Sequence, residues 1–277
     1  MISCILVICC LLAVPLLFRQ EPEPAPMSSP TPTPTPRDLQ PVVMNAINFF
    51  EESEESDDPY ALLLLDVVHR RFGIEEFADA LNRYDEMMGM HPDQAPLMRL
   101  FRRIADYNTP LQYWDLEEVT DELDRLTIPA LYCNQLDLPR DYQSTLERAM
   151  HLGDYMLTHT LLACIWVQEN GCEVPVTDDF MENVYKANAE LINDDTVVED
   201  LELEAAAFLC LAGQGSLVDH IFVDRVITSQ NYDGGWLFSS DKPNVSNWHP
   251  SVLALLFLLH MEYPSESYSP MLASESP

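Results

Sequence analysis

From Asp38 onward, hydrophobic positions recur with the helical period, and the recurrence breaks at short polar or Pro/Gly-containing stretches. DLQPVVMNAINFFEE forms the first such segment. In DDPYALLLLDVVHRRFG, acidic residues precede Pro59 at the start and Gly73 closes the end, the usual punctuation of a helix. IEEFADALNRYDEMMGM and APLMRLFRRIA predict a third and a fourth helix. Residues 107–140 are less regular, interrupted by Pro110, Pro129 and Pro139, with LEEVTDELDRL between them reading as a helix with a polar face.

From Asp141 the pattern becomes periodic. DYQSTLERAMHLGD leads into YMLTHTLLACIWVQENGC, TDDFMENVYKANAELIND into DLELEAAAFLCLAGQGS, and LVDHIFVDRVITSQNYDGGW into WHPSVLALLFLLH. Each pair joins an amphipathic helix to one that is apolar nearly all round, and a helix apolar on every face must be buried on every face. Such pairs recur at a spacing of about 35–45 residues, which marks a helical repeat. Repeats of this kind stack linearly or close into a ring. The fully apolar second helices favour a closed double ring, in which they form the inner wall. The expected fold is therefore all-α: helical hairpins over residues 38–277 forming an α/α toroid, complete or incomplete.

Gln230 to Trp236, QNYDGGW, resembles the QW motif of the terpenoid cyclase and protein prenyltransferase families, which are α/α toroids. The resemblance covers residues 142–262 and implies a structural role, with Gln capping and Trp stacking between an outer and an inner helix. Two glycines permit a tight turn there, and the Trp N–H needs a partner. The continuation DKPNVSNWHPSVLALLFLL resembles prenyltransferase β-subunits, where a DKP loop precedes an inner helix that begins with a zinc-binding His; His249 stands in that position. The family's Asp-x-Cys at the previous inner helix is replaced here by EDLELEA, which has no Cys. INDDT at residues 192–196 is similar to the DxDDT acid motif of class II terpene cyclases, with Asp194 at the proton donor and Ile192 in place of the first Asp.

Three inner-helix starts bring titratable groups to one end of the expected ring: His159, then Asp200, Glu202 and Glu204, then His249. Two imidazoles and a carboxylate suit zinc, or iron with open positions, and they equally suit general acid–base chemistry. The candidate catalytic set is His159, Asp194, Glu202 and His249, and the candidate metal set is His159, Glu202 and His249. No cofactor is expected, with zinc as the alternative. Tyr155, Trp166, Trp236 and Trp248 are candidates for lining an apolar cavity, with the core as their other destination. There is no Gly-rich phosphate loop, no GxSxG and no Cys/His nucleophile pair, so nucleotide use and acyl-transfer chemistry have no support.

Composition places this domain on a surface. Residues 2–18 are apolar apart from Ser3, at the short edge of the roughly 17–25 residues that span a bilayer. The stretch lacks a basic n-region and an A-x-A site, which makes residues 1–19 a signal-anchor rather than a cleaved signal peptide, a secreted domain being the alternative. Residues 20–37 are Pro-rich, alternate Pro and Thr from Pro30 to Pro36, and read as an extended disordered stalk. The domain is then expected outside the cytoplasm, touching the membrane through residues 2–18 only. Arg19 and Arg37 balance Glu21 and Glu23, so the formal charge of −32 rests on residues 38–277, with 12 basic and 44 acidic groups. Such a surface repels phosphate backbones and excludes a nucleic-acid partner. Cys164 and Cys210 lie in apolar helical stretches, where free thiols are usually buried; with Cys133 and Cys172 they make an even number, which permits disulfides. The expected function is a binding or interaction domain for a small apolar ligand or a protein. The alternative is a cyclase- or prenyltransferase-like enzyme acting on an apolar ligand in the central cavity, with or without a metal.

Overall fold

The computed structural model describes residues 38–90, 96–173, 176–192, 197–238, 245–264 and 267–275. The apolar stretch 2–18, the Pro/Thr stretch 20–37 and Asp194 lie outside the described residues. Among the described residues no helix is long and apolar enough to cross a membrane.

The described chain is all-α. In order its helices are α1 Gln40–Glu52, α2 Pro59–Phe72, α3 Ala80–Met90, α4 Pro96–Phe101, α5 Glu122–Leu131, α6 Tyr142–Leu152, α7 Asp154–Glu169, α8 Asp178–Leu191, α9 Asp200–Leu211, α10 His220–Ser229 and α11 Trp248–Glu262. A short antiparallel ribbon pairs β1 Trp236–Leu237 with β2 Ser246–Asn247 just before α11. Helix starts are set by side-chain caps. Asp58 accepts from the Tyr60 amide at 2.8 Å ahead of Pro59, and Asn247 accepts from the His249 amide at 3.1 Å.

The helical hairpins read from the sequence are the building unit. In α7, α9 and α11 buried residues face every direction, whereas α6, α8 and α10 bury one stripe. Every residue of α11 from Pro250 to His260 is buried, and each Leu in it contributes about 1.5–3 kcal/mol on leaving water. The all-apolar α7, α9 and α11, together with α2, α4 and α5, form an interior layer whose contacts run in a circuit: α2 on α11, α11 on α9, α9 on α7, α7 on α5, α5 on α4, and α4 back on α2. Helices α1, α3, α6 and α8 pack outside it, on α11, α2, α7 and α9.

Residues 107–140 are more ordered than their prolines imply. Asp115–Glu118 form a 3₁₀ turn, Val119 is extended, and α5 begins after the Asp121 cap, so LEEVTDELDRL is two elements rather than one. Pro129 sits inside α5 instead of ending it, because packing of Leu126, Ile128, Ala130 and Leu131 against the core outweighs one lost backbone bond.

The QNYDGGW segment ties the end of the chain to its beginning. Gln230 Nε2 donates to the carbonyls of Val42 and Gly234, both at 2.9 Å, and the buried Trp236 donates through Nε1 to Val226 at 2.9 Å. Gly234 has φ +93°, and a Cβ there would lie 2.1 Å from the Asn45 carbonyl; one on Gly235 would meet Ser246 at 2.6 Å. Only glycine allows that approach. The chain's last described residues fold back as well. The Glu169 carboxylate accepts from the Met271 and Leu272 amides at 2.8 and 2.9 Å, and the Ala273 amide donates to Ile104 at 2.9 Å.

Candidate functional site

A cavity of about 380 Å³ opens among the interior helices. Its walls are apolar and aromatic, from Tyr60 and Leu64 of α2, Phe101 of α4, Trp166 of α7 and Phe208 of α9. Met271 reaches it from the returning carboxyl-terminal segment, with the Trp166 Nε1–H donating to its Sδ at 3.3 Å. His159, Glu204 and His249 are among the cavity's polar lining, as are Asp124 of α5 and Asp121, the cap of that helix.

Helix geometry decides which acids take part. Asp200 and Glu204 are four residues apart on α9 and share a face; Glu202, between them, projects roughly 200° away. Glu202 closes the capping box of α9, accepting from the Glu199 amide at 2.9 Å, and it pairs with Arg225 of α10 at 3.3 Å. The structure thus brings His159 and His249 together around Glu204 and gives Glu202 to the scaffold. The signal that picks Glu204 is the i, i+4 spacing from Asp200.

The polar groups form one connected chain. Asp200 accepts from Tyr155 Oη and from His249 Nδ1, each at 2.7 Å. Nδ1–H is therefore the donor, and His249 Nε2 faces Glu204 Oε2 at 3.5 Å. On the other side Glu204 Oε1 accepts from Thr158 and lies 3.2 Å from His159 Nδ1, which also reaches the Tyr155 carbonyl at 2.9 Å. Both acceptors place the proton of a neutral His159 on Nδ1 and leave the lone pair on Nε2.

Burial governs the charges. Desolvation alone depresses the His249 pKa, but the bond and charge of Asp200 and the charge of Glu204 outweigh it, so His249 titrates above the ordinary imidazole value. Burial likewise pushes Glu204 up, and the bond and charge of His159, the charge of His249 and the Thr158 hydroxyl bring it below the usual carboxylate value. Tyr155 is raised by burial first and then by Asp200, which keeps it a donor. The arrangement places two imidazoles, on α7 and α11, on either side of a buried carboxylate at the end of an apolar cavity, the residue types that general acid–base chemistry uses.

Asp200, Glu204 and His249 also offer three ligand atoms within 4.8 Å of one another. Two carboxylates and an imidazole fit zinc or iron bound through oxygen and nitrogen. They do not fit thiolate chemistry, since none of the three donors is a Cys, and Glu202 is engaged with Arg225.

A larger recess of about 710 Å³ lies at the carboxyl-terminal ends of the same helices. Its titratable groups are held back: burial pushes the Cys210 thiol up to about 12 and lowers His260 to about 4. The smaller cavity is the one with reactive groups. Compared with family models, curated proteins and solved structures, the chain matches none.

Proposed function

We propose that residues 38–277 form an α/α toroid of the terpenoid cyclase and prenyltransferase type whose central cavity binds a small apolar molecule. The closed circuit of interior helices, and the Gln230 bond that joins the last repeat to α1, support the toroid. The observation that carries the binding reading is the 380 Å³ cavity itself, aromatic along its walls and ended by His159, Glu204 and His249. Ligand sites have this size and this balance of apolar wall and few polar groups. The disulfide between Cys133 and Cys172 supports a location outside the cytoplasm, with residues 2–18 as the tether.

Titration of the full chain with N-phenyl-1-naphthylamine, a neutral apolar fluorophore, tests the binding. One saturable site is expected in the wild type and a loss of at least tenfold in affinity for Leu64→Trp, which fills the cavity from a half-buried position on α2. Equal binding by both proteins would defeat the reading.

A second reading, an enzyme with a metal at the polar end, is favoured by the three donor atoms of Asp200, Glu204 and His249. Metal content after dialysis decides it. Near-stoichiometric zinc or iron that His249→Ala loses supports a metal enzyme, and its absence from both proteins removes that reading.

A further inference from the structure

Resting on the reading of the cavity as a ligand site, we propose that its ligand is a hydrophobic cation, an apolar molecule bearing an ammonium group.

The aromatic wall is continuous. The Trp248 and Tyr60 rings stack at 6.4 Å and 13°, Tyr60 meets Phe101 edge-on at 5.6 Å, and Phe101 meets Trp166 at 6.5 Å. A cation within about 6 Å of an aromatic ring centroid is attracted by the ring quadrupole. Trp and Tyr are the strongest partners, and three of these four rings are of those types.

Charge around the same space points the same way. Asp121, Asp124 and Glu204 line the cavity, and no Lys or Arg does so among the described residues. Three carboxylates face at most two imidazoles, so the lining is negative even with both His159 and His249 protonated. A phosphate or carboxylate head would enter with no guanidinium or ammonium to receive it and would give up its water against carboxylates. A neutral apolar molecule would gain burial and nothing more. An ammonium head gains from both the rings and the acids. Carboxylates also weigh on the wall itself: Tyr60 Oη is raised by burial first and then by Asp124, Asp58 and Asp121. The charge of −32 on the domain further enriches cations near its surface.

Calorimetric titration of the full chain with decyltrimethylammonium, decanol and decanoate, each below its micellar concentration, separates these cases. The ammonium compound is expected to bind at least tenfold more tightly than decanol, and decanoate more weakly than decanol. Asp124→Asn is expected to weaken the ammonium compound at least threefold and to leave decanol unchanged. Equal or tighter binding of decanol or decanoate overturns the cation and leaves the cavity standing. Failure of all three to bind defeats the cavity reading as well. Ammonium binding that persists unchanged in Leu64→Trp, and in Leu123→Trp as a second filled variant, overturns the proposal by assigning the affinity to the acidic exterior. Circular dichroism of each variant confirms that it is folded.

Discussion

Gln230 reaches back 188 residues to donate to the carbonyl of Val42 at 2.9 Å. Asn45, one turn further along α1, donates in turn to Gln230 Oε1 at 3.3 Å. Around them Leu39 N donates to Glu262 at 3.3 Å, so both ends of the last repeat hold the first helix. A linear stack of hairpins would leave α1 and α11 far apart; these bonds join them. They fix the last hairpin against the first helix, beside the cavity lined by α2 and α11.

The joint has a clear mutational signature. Gly234→Ala forces a side chain into positive φ and against the Asn45 carbonyl, and a loss of about 2–4 kcal/mol is expected. Gln230→Ala leaves two carbonyls short of a donor and costs about 1–3 kcal/mol. Tyr232→Ala, at 92% exposure inside the same segment, stays within about 0.5 kcal/mol of wild type. Urea unfolding of the three variants checks the order, and an equal loss in all three would show that the segment is not a joint.

Glu202 and Glu204 separate frame from site. Glu202→Ala removes the α9 capping box and the carboxylate partner of Arg225, which keeps its bond to the Val197 carbonyl, with an expected loss of about 2–4 kcal/mol and no change in affinity for the apolar fluorophore. Glu204→Gln keeps the shape of the side chain and removes the charge between the two imidazoles, so it changes ligand affinity or metal uptake. Binding and unfolding measured on both variants test the split. Reversed effects would return Glu202 to the site.

Much of this was legible in the chain, for definite reasons. An all-apolar helix has one physical destination, so α7, α9 and α11 announce an interior layer, and QNYDGGW announces a close approach through its paired glycines. His159 and His249 follow from being at inner-helix starts. Between Glu202 and Glu204 the period of α9 discriminates: Glu204 shares the face of Asp200, whereas Glu202 points toward Arg225. The contributions of Tyr60 and Phe101 to the cavity were not legible, because they come from α2 and α4, outside the periodic region. The inclusion of α5 in the circuit was hidden by Pro129, whose local cost is overcome only by contacts distant in sequence.

Among the described residues the cysteines divide into two chemistries. Cys133 and Cys172 form a disulfide across 39 residues, and its reduction is expected to cost about 2–4 kcal/mol. Cys164 and Cys210 are buried thiols, each pushed up to about 12 by burial, and Arg71 pulls Cys210 back only in part. A thiol reagent applied to the folded chain should leave both unlabelled and should reach them only in denaturant. Mass spectrometry of labelled peptides reads this directly, and labelling of Cys210 without denaturant would show that the larger recess opens.

His260 gives the domain a pH dependence whose sign is fixed by its surroundings. Its Nδ1 donates to the Leu256 carbonyl at 2.7 Å and its Nε2 accepts from Arg71 at 3.0 Å, while Phe72 and Tyr268 pack edge-on against the ring. Burial first, and then the charge of Arg71, lower the pKa to about 4, against the bond to Leu256. Above about 6.5 the imidazole is neutral in both folded and unfolded chains, and its contribution is complete. As pH falls from 6.5 toward 4 the unfolded chain binds the proton and the folded one does not, so stability drops by about 1.4 kcal/mol per unit, roughly 3 kcal/mol in all. His260→Gln keeps an acceptor for Arg71 but cannot titrate. Urea midpoints at pH 7 and pH 5 should therefore converge in that variant and separate in the wild type. An equal separation in both would place the acid sensitivity elsewhere.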